Sequence, residues 1–389
     1  MNQRFYALDL LRGLTIAFMI LVNNAGNWEF IYTPLEHAPW HGCTPTDLVF
    51  PFFLFVVGCS MAFVFPKLEA AGQSAFLRKI IYRALIIFGI GLFLNWSPFV
   101  RWQDDHLAFR HWVNPNDPSS GVRILGVLQR IALCYLFASL IIYYFKMRGA
   151  FFIGVILLLG YWLICLLAGS GDHFSIDGYF GTYLDKTILG IPHMYKGEGV
   201  AFDPEGIAST MPAIAQVILG YLAGSYILQK GINYEMLSKL FVTGCVLVFL
   251  GYCWDMSFPI NKKIWTSSFV VYTSGLAILL LCVLIYCTEF RKSQGKWSDA
   301  FVIFGKNPLF IFFLSGFLPR ILGLLRWKDG VNEKGEPVYT SVFPWFYEHV
   351  CKGLSADLRL GSFVYALCVV LFFWLIAFWM DRKKIYVRV

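Results

Sequence analysis

Long apolar runs separated by short polar segments extend along the whole chain. Crossing a hydrocarbon core takes roughly 20 helical residues, and backbone polar groups in lipid must be satisfied internally, which favours helices. The strict alternation typical of barrel strands is absent. The pattern predicts an all-α integral membrane protein with about ten transmembrane helices, at 8–23, 48–65, 77–95, 122–144, 150–168, 207–228, 238–254, 264–287, 301–319 and 362–380.

Composition and charge agree with this pattern and orient it. The chain is 58% hydrophobic and only 14% charged. If the N-terminus lies inside, most Lys and Arg fall in inner segments and most Asp and Glu in outer ones, as the positive-inside rule requires. Both termini are therefore predicted to be cytoplasmic. The excess cations behind the net charge of +8 lie in the predicted inner segments, as the positive-inside rule requires. The charge therefore gives no reason to expect a nucleic-acid partner.

The predicted outer segments are longer than the inner ones. Residues 24–47, 96–121, 169–206 and 320–361 are rich in Gly, Pro and aromatic residues, and all 7 histidines fall in outer segments. Long structured loops commonly carry function. No internal repeat and no metal-type spacing of Cys or His is visible. Residues 1–389 are predicted to form a single transmembrane domain with a structured outer cap and no metal.

The segment PLEHAPWHGCTPTDLVFP, residues 34–51, places ionisable groups directly before an apolar run. A histidine oriented by a carboxylate is a common general base, and His37 with Glu36 or Asp47 fits that description. Asp47 is also predicted as the N-cap of the second run, where a carboxylate is favoured. The alternative is that His37 is an ordinary loop histidine.

Polar residues in or beside other apolar runs are further candidates. Asn23 and Asn24 end the first run and could donate to an oxyanion, although Asn also terminates helices. Asp9 and Arg12 are three residues apart, which predicts an ion pair that is either functional or a packing device. Arg130 lies inside the fourth run, where it needs a carboxylate, carbonyls or a ligand phosphate.

Two more segments combine polar residues with a helix start. In GKNPLF, Lys306 and Asn307 open the ninth run, either as ligand-binding groups or as an interfacial lysine and a turn residue. In FDPEGIASTMPAI, Asp203 and Glu205 lead from an outer segment into the sixth run.

The motifs LDLLRGLTIAFMILVNN, LEHAPWHGCTPTDLVFPFFLFVVG, GVLQRIALCY, DPEGIASTMPAI, NKKIWTSSFV and DRKKIYVRV resemble the bacterial NagX-type branch of the heparan-α-glucosaminide N-acetyltransferase family. The resemblance extends from residue 4 to 389. It implies a membrane helix bundle whose active-site histidine is His37, in a block with Trp40 and Asp47. The family's functional Asn corresponds to Asn23 or Asn24, because the spacing to the histidine differs.

The resemblance further implies transfer of an acetyl group from cytosolic acetyl-CoA to the amine of a glucosamine-type sugar on the periplasmic side of the membrane. The implied location is a bacterial inner membrane, where the protein contacts lipid and could form a homodimer. Candidates for binding the sugar are Glu36, Trp40, Trp28, Asp203, Glu205 and His349. Candidates for binding acetyl-CoA are Arg12, Arg78, Lys79, Arg83, Arg130, Arg291, Lys292, Lys306 and Asn307. Two other functions stay open: an O-acyltransferase of envelope glycans, and an amino-sugar transporter.

Overall fold

The protein is a helical bundle with small hairpins at its surface. The computed structural model describes residues 5–103 and 105–387. Its α-helices are α1 (Tyr6–Val22), α2 (Val49–Ala70), α3 (Gln73–Trp96), α4 (Val127–Ala168), α5 (Phe180–Ile188), α6 (Ile207–Lys230), α7 (Tyr234–Asp255), α8 (Ser267–Ile285), α9 (Lys296–Lys306), α10 (Pro308–Leu322), α11 (Val342–Phe346) and α12 (Leu358–Arg382). The mostly helical fold that the apolar runs predict is confirmed.

Each of the ten predicted runs overlaps a helix, but fewer helices are long and apolar enough to cross a membrane. Within the described residues these are Pro45–Ala70, Val127–Ala168, Ile207–Lys230, Tyr234–Asp255, Ser267–Phe290 and Leu358–Arg382, and α9 with α10 makes a seventh if the pair is one span. The protein is thus a multi-pass membrane protein. Ten crossings and two cytoplasmic termini stay predictions.

Two helical segments are interrupted. The predicted continuous run 301–319 is wrong: α9 and α10 meet at an angle of 77°. Asn307 has non-helical φ and ψ of −130° and 51°, because the ring of Pro308 disfavours the helical region for the residue before it. Within α4, Lys146 has φ 56° and ψ −172°, so the helix breaks between the two predicted runs 122–144 and 150–168.

Three antiparallel hairpins add strands that the all-α prediction does not include. They pair β1 (Val100–Gln103) with β2 (His106–Phe109), β3 (Val113–Asn114) with β4 (Asp117–Gly121), and β5 (Arg326–Val331) with β6 (Pro337–Ser341). All lie in the predicted outer segments. Strands this short carry too few positions for a period-two pattern to stand out.

Glycines let the central helices approach closely. A Cβ added at Gly58 of α2 would lie 1.9 Å from the carbonyl oxygen of Val217 in α6, and one added at Gly220 of α6 would lie 2.1 Å from that of Phe55. Small residues at helix contacts are typical of membrane bundles, where packing rather than the hydrophobic effect drives association.

The predicted outer segments contact one another at one end of the bundle. Gly42 N–H donates to the Ile260 carbonyl at 2.7 Å, and the Trp102 indole donates to the Leu324 carbonyl at 3.1 Å. The connection between α7 and α8 is therefore packed against the segment between α1 and α2. This packing assembles the site described next.

Candidate active site

The turn that precedes α2 positions the candidate carboxylate. Pro45–Leu48 is a single 3-10 turn with Thr44 as its N-cap and Pro45 at its first position. Pro is well suited there because its missing N–H would have no partner in any case. Asp47 is the third residue of the turn, so its carboxylate reaches back to the backbone N–H of Thr44 at 3.0 Å. The hydrogen bond to Thr44 within this short turn thus fixes the Asp47 carboxylate next to the loop that holds His37.

Asp47 is a fully occupied orienting group. Its side chain is only 2% exposed. Oδ2 accepts from Ala38 N–H and Thr44 N–H, both at 3.0 Å, and lies 3.1 Å from the Thr44 hydroxyl oxygen. Oδ1 lies 2.7 Å from His37 Nδ1. Of the two carboxylates expected to orient His37, the structure brings Asp47 into contact, whereas Glu36 is exposed and accepts a hydrogen bond from Thr44 through its backbone carbonyl.

His37 combines a fixed ring with access to solvent. Its side chain is 47% exposed. When Nδ1 donates its proton to the Asp47 carboxylate, Nε2 carries the free lone pair. This His–Asp arrangement is the one that orients a catalytic imidazole and stabilises the imidazolium formed during catalysis. It is suited to general-base or nucleophilic chemistry on a substrate that reaches this end of the bundle.

Lys262 is a third member of the cluster that sequence reasoning missed. Its Nζ lies 3.0 Å from His37 Nδ1, 3.5 Å from His37 Nε2 and 3.4 Å from Asp47 Oδ1. Burial lowers the pKa of Lys262, although the Asp47 carboxylate acts in the opposite direction. A signal was present: Lys262 and Lys263 are consecutive cations in a predicted outer segment, against the positive-inside bias.

Trp40, a predicted sugar-stacking residue, is held beside this cluster. Its indole N–H donates to the Phe174 carbonyl at 2.8 Å. Lys263 Nζ lies 5.7 Å from the centre of its ring and binds Glu198 at 2.5 Å and the Pro39 carbonyl at 2.7 Å. The hydrogen bond therefore fixes the indole N–H edge of Trp40, and the Lys263 ammonium covers part of the ring.

The acidic groups expected to hold an amino sugar are ion-paired. Arg123 binds Asp203 through two nitrogens and also binds Glu205. Burial alone would lower the pKa of Arg123, but the Glu205 and Asp203 carboxylates outweigh it and raise that pKa. The Asp203 side chain has no exposed area. Arg123 thus neutralises part of the charge of both carboxylates, and their role in holding an amino sugar stays a prediction.

Two other predicted sugar-binding residues lie apart from the cluster. Trp28 is 64% exposed. His349 stacks on Trp345 with ring centres 4.9 Å apart, and its Nε2 is 3.7 Å from Asp329. Among the described residues, no hydrogen bond or ion pair connects either side chain with His37.

The two candidate oxyanion donors differ in their surroundings. Asn24 donates to the Ile20 carbonyl at 2.7 Å, which occupies one of its amide hydrogens. Asn23 is the C-cap of α1 and has an exposed side chain. Neither amide is hydrogen-bonded to His37 in the part of the chain that the structure describes, and their role stays a prediction.

The ionisable residues inside helices have protein partners. The predicted Asp9–Arg12 ion pair is confirmed at 2.6 Å, and Arg12 also binds Ser60 at 2.7 Å. Arg130 has no exposed area. It donates to the Gly206 carbonyl at 3.1 Å and to the Ser209 hydroxyl. A carbonyl partner for Arg130 is thus present, but its Nε and Nη1 are buried without a hydrogen-bond partner among the described residues, and a ligand phosphate stays a prediction.

The predicted CoA-binding cations are spread over several elements. Arg78 and Lys79 are exposed on α3, Arg291 and Lys292 are exposed after α8, and the Arg83 guanidinium lies 5.0 Å from the ring centre of Tyr135. No hydrogen bond within the described residues joins these side chains to one another.

Lys306 and Asn307 form an ion pair and hydrogen bonds with residues at the end of α12 and just after it. Lys306 Nζ binds both oxygens of Asp381, at 2.7 and 2.8 Å. The Asn307 amide donates to the Ile385 carbonyl at 2.9 Å and accepts from Val387 N–H at 2.8 Å. Their polar groups thus hold the segment after α12 in place.

An apolar cavity of about 490 Å³ lies between α1, α2, α8, α9 and α12. Thr15, Phe18, Phe52 and Val370 are among its lining residues, and Pro45 and Leu48, which flank Asp47, complete its wall. One end of the cavity therefore lies at the turn that orients His37, and the cavity opens at the surface beside Leu367, which is 45% exposed. Within the described residues, no group of three or more His, Cys, Asp or Glu side chains could hold a metal ion, and the absence of a metal stays a prediction.

The fold and the site define a multi-pass helical membrane protein with a His–Asp pair at one end of its bundle. The sequence profile of the family described as "Heparan-alpha-glucosaminide N-acetyltransferase, catalytic" matches residues 4–252. The chain belongs to this family, which confirms the resemblance; the bacterial branch stays a prediction.

Two curated relatives carry the name heparan-alpha-glucosaminide N-acetyltransferase. The human protein is 27% identical over 371 residues, covering 79% of this chain and 52% of its own length. The mouse protein is 25% identical over 372 residues, covering 80% of this chain and 53% of its own length. The chain thus spans about half the length of the curated relatives it matches.

Proposed function

We propose that this protein is a transmembrane N-acetyltransferase that moves the acetyl group of cytoplasmic acetyl-CoA to the amine of a glucosamine-type sugar on the periplasmic side. The observation that carries the proposal is the His37–Asp47 pair, at 2.7 Å, in a chain whose family relatives are named N-acetyltransferases. The proposed location is a bacterial inner membrane, and the proposed assembly is a homodimer.

His37 acts as the general base in this mechanism. Its Nε2 takes the proton that the sugar amine loses as the amine nitrogen bonds to the acetyl carbon and the carbon–sulfur bond breaks. The Asp47 carboxylate stabilises the resulting imidazolium. The imidazolium then returns the proton to the departing thiolate, so that the site is restored. Asn23 or Asn24 is the candidate donor to the oxyanion of the tetrahedral intermediate.

The two substrates would reach His37 from opposite sides. The apolar cavity that ends at Pro45 and Leu48 suits the uncharged arm of the donor, and inner cations such as Arg78 and Arg291 suit its phosphates. On the outer side, Trp40 offers part of a ring for stacking and Glu205, with 12% of its side chain exposed, offers a carboxylate edge.

Acetyl transfer by the purified full chain tests the proposal. Labelled acetyl-CoA and glucosamine are incubated with the wild type, with His37→Ala, and with His111→Ala, a matched change at an exposed outer histidine. Loss of a positioned general base costs roughly 10²–10⁴-fold in rate, so we expect that loss for His37→Ala only. A His37→Ala protein that transfers acetyl as fast as the wild type would refute the site.

The same assay separates the alternatives. Transfer to an envelope glycan but not to glucosamine would favour the O-acyltransferase. Uptake of labelled amino sugar into vesicles without any acyl donor would favour the transporter.

A further inference from the structure

Lys262 occupies an unusual position beside the imidazole of His37. A cation next to a histidine disfavours the imidazolium, whereas an anion favours it. His37 has one of each: Lys262 Nζ at 3.0 Å and Asp47 Oδ1 at 2.7 Å from the same nitrogen, Nδ1. Nδ1 cannot donate to Asp47 and accept from Lys262 at once, so the two charged groups compete for it.

The position of Lys262 is built into the fold. Its segment is fixed by Asn261, which has no exposed area and accepts from Ile264 N–H at 3.0 Å, and by the bond from Gly42 N–H to the Ile260 carbonyl at 2.7 Å. The Lys262 side chain is only 21% exposed. A surface lysine with full rotamer freedom would not be held at this distance from His37.

We propose that Lys262 is a positioning residue of this site, whose positive charge beside Nδ1 opposes protonation of His37 and offsets the effect of the Asp47 carboxylate. This inference rests on the proposed function for its role in acetyl transfer. Without Lys262, the Asp47 carboxylate alone would favour the imidazolium, which can neither take a proton nor attack a carbonyl. With Lys262, the two neighbouring charges act on the imidazole in opposite directions.

The other charged groups nearby do not replace this role. Glu36 adjoins His37 in the chain and is exposed, so solvent screens it. Glu205 acts on Lys262 from the segment before α6, but it is bound to Arg123. The Cys43 thiol also faces Lys262, and burial raises its pKa to about 12, so it adds no charge at neutral pH.

The chain offers a matched control for the test. Lys263 is the next residue and carries the same charge, but its Nζ binds Glu198 and the Pro39 carbonyl. Replacing either lysine by Met removes one positive charge from the same segment and keeps most of the side-chain volume. Only Lys262→Met removes the charge that contacts His37.

The first measurement is the pH dependence of kcat/KM for acetyl transfer between pH 5.5 and 9, with full-length protein. For Lys262→Met we expect the acidic limb to move up by about one pH unit, the size of effect expected from one adjacent charge, and most of the rate to return at high pH. Lys262→Arg, which keeps the charge, and Lys263→Met should leave the limb where the wild type has it. An unmoved limb in Lys262→Met overturns the proposal, whether or not the rate falls.

A second measurement does not depend on acetyl transfer. Diethyl pyrocarbonate modifies neutral imidazole, and the extent of modification at His37 is read by mass spectrometry of its peptide as a function of pH. In Lys262→Met, or in Lys262→Gln if the first variant does not fold, modification at pH 6.5 should fall several-fold relative to the wild type. Equal modification in both proteins would overturn the proposal. If the wild type transfers no acetyl, the proposed function fails while this measurement still decides the role of Lys262.

Discussion

Replacing Asp47 by Asn tests the orienting role of the carboxylate with almost no change in shape. Oδ2 of Asp47 accepts hydrogen bonds from the backbone N–H groups of Ala38 and Thr44. An amide oxygen can accept both, so the amide NH₂ must then face His37. That group donates to Nδ1 and forces the imidazole proton onto Nε2. The nitrogen proposed to take a proton from the substrate is then already protonated.

The expected magnitude follows from this inverted tautomer. Replacing the carboxylate that orients a catalytic histidine by an amide lowers kcat on the order of 10⁴-fold, and we expect a loss of this size. Stability should fall as well, because Asp47→Asn leaves Lys262 without its anion. Breaking a buried pair costs roughly 3–5 kcal/mol, and we expect about 3 kcal/mol because the Lys262 side chain is 21% exposed.

The assay compares the wild type, Asp47→Asn and Asp177→Asn, the same chemical change at an exposed outer position. Initial rates of acetyl transfer are measured with labelled acetyl-CoA and glucosamine, and thermal unfolding reports stability. A folded Asp47→Asn protein that kept more than a tenth of the wild-type rate would refute the reasoning, because a neutral amide would then serve as well as the carboxylate.

Two further predictions concern stability. Burial raises the pKa of Asp185 from 3.8 to about 7, so the unfolded state loses this proton at lower pH than the folded state and the free energy of unfolding falls as pH rises from about 4 to 7. Asp185→Asn keeps an acceptor for Ile207 N–H, bound at 2.9 Å. The variant should flatten the dependence of Tm on pH and stabilise the protein at pH 8 by at most about 4 kcal/mol. Curves of Tm against pH that run parallel for the wild type and the variant would contradict this. Gly58→Ala places a Cβ 1.9 Å from the Val217 carbonyl oxygen and should lower the free energy of unfolding by roughly 1–3 kcal/mol. The control Gly89→Ala, with open space around its Cβ, should not lower Tm. Equal Tm values for the two variants would show that the α2–α6 contact is not tight.

Several features could be read from the chain because they depend on neighbouring residues. Apolar length predicts membrane helices, since the cost of exposing backbone groups to lipid applies to each segment separately. The Asp9–Arg12 pair follows from helical spacing alone. The prediction of Asp47 as an N-cap is wrong by three residues, because Thr44 is the N-cap and Asp47, as the third residue of the turn, binds back to its N–H. The break in the run 301–319 was not predicted, because the apolar length of the run was given more weight than Pro308, which disfavours the helical conformation at Asn307.

The site itself depended on contacts that no local pattern encodes. Lys262 is 225 residues from His37 along the chain, and Arg123 is 80 residues from Asp203. Whether a charged side chain meets a substrate or another charge depends on which loops pack together, and that is decided by the whole bundle. Sequence alone determined a membrane helix bundle with a candidate histidine beside a carboxylate. Tertiary structure decided that Asp47, and not Glu36, binds this histidine, that Arg123 pairs with Asp203 and Glu205, and that Lys262 stands beside the imidazole, because side chains far apart in sequence become neighbours only when the loops close over the bundle.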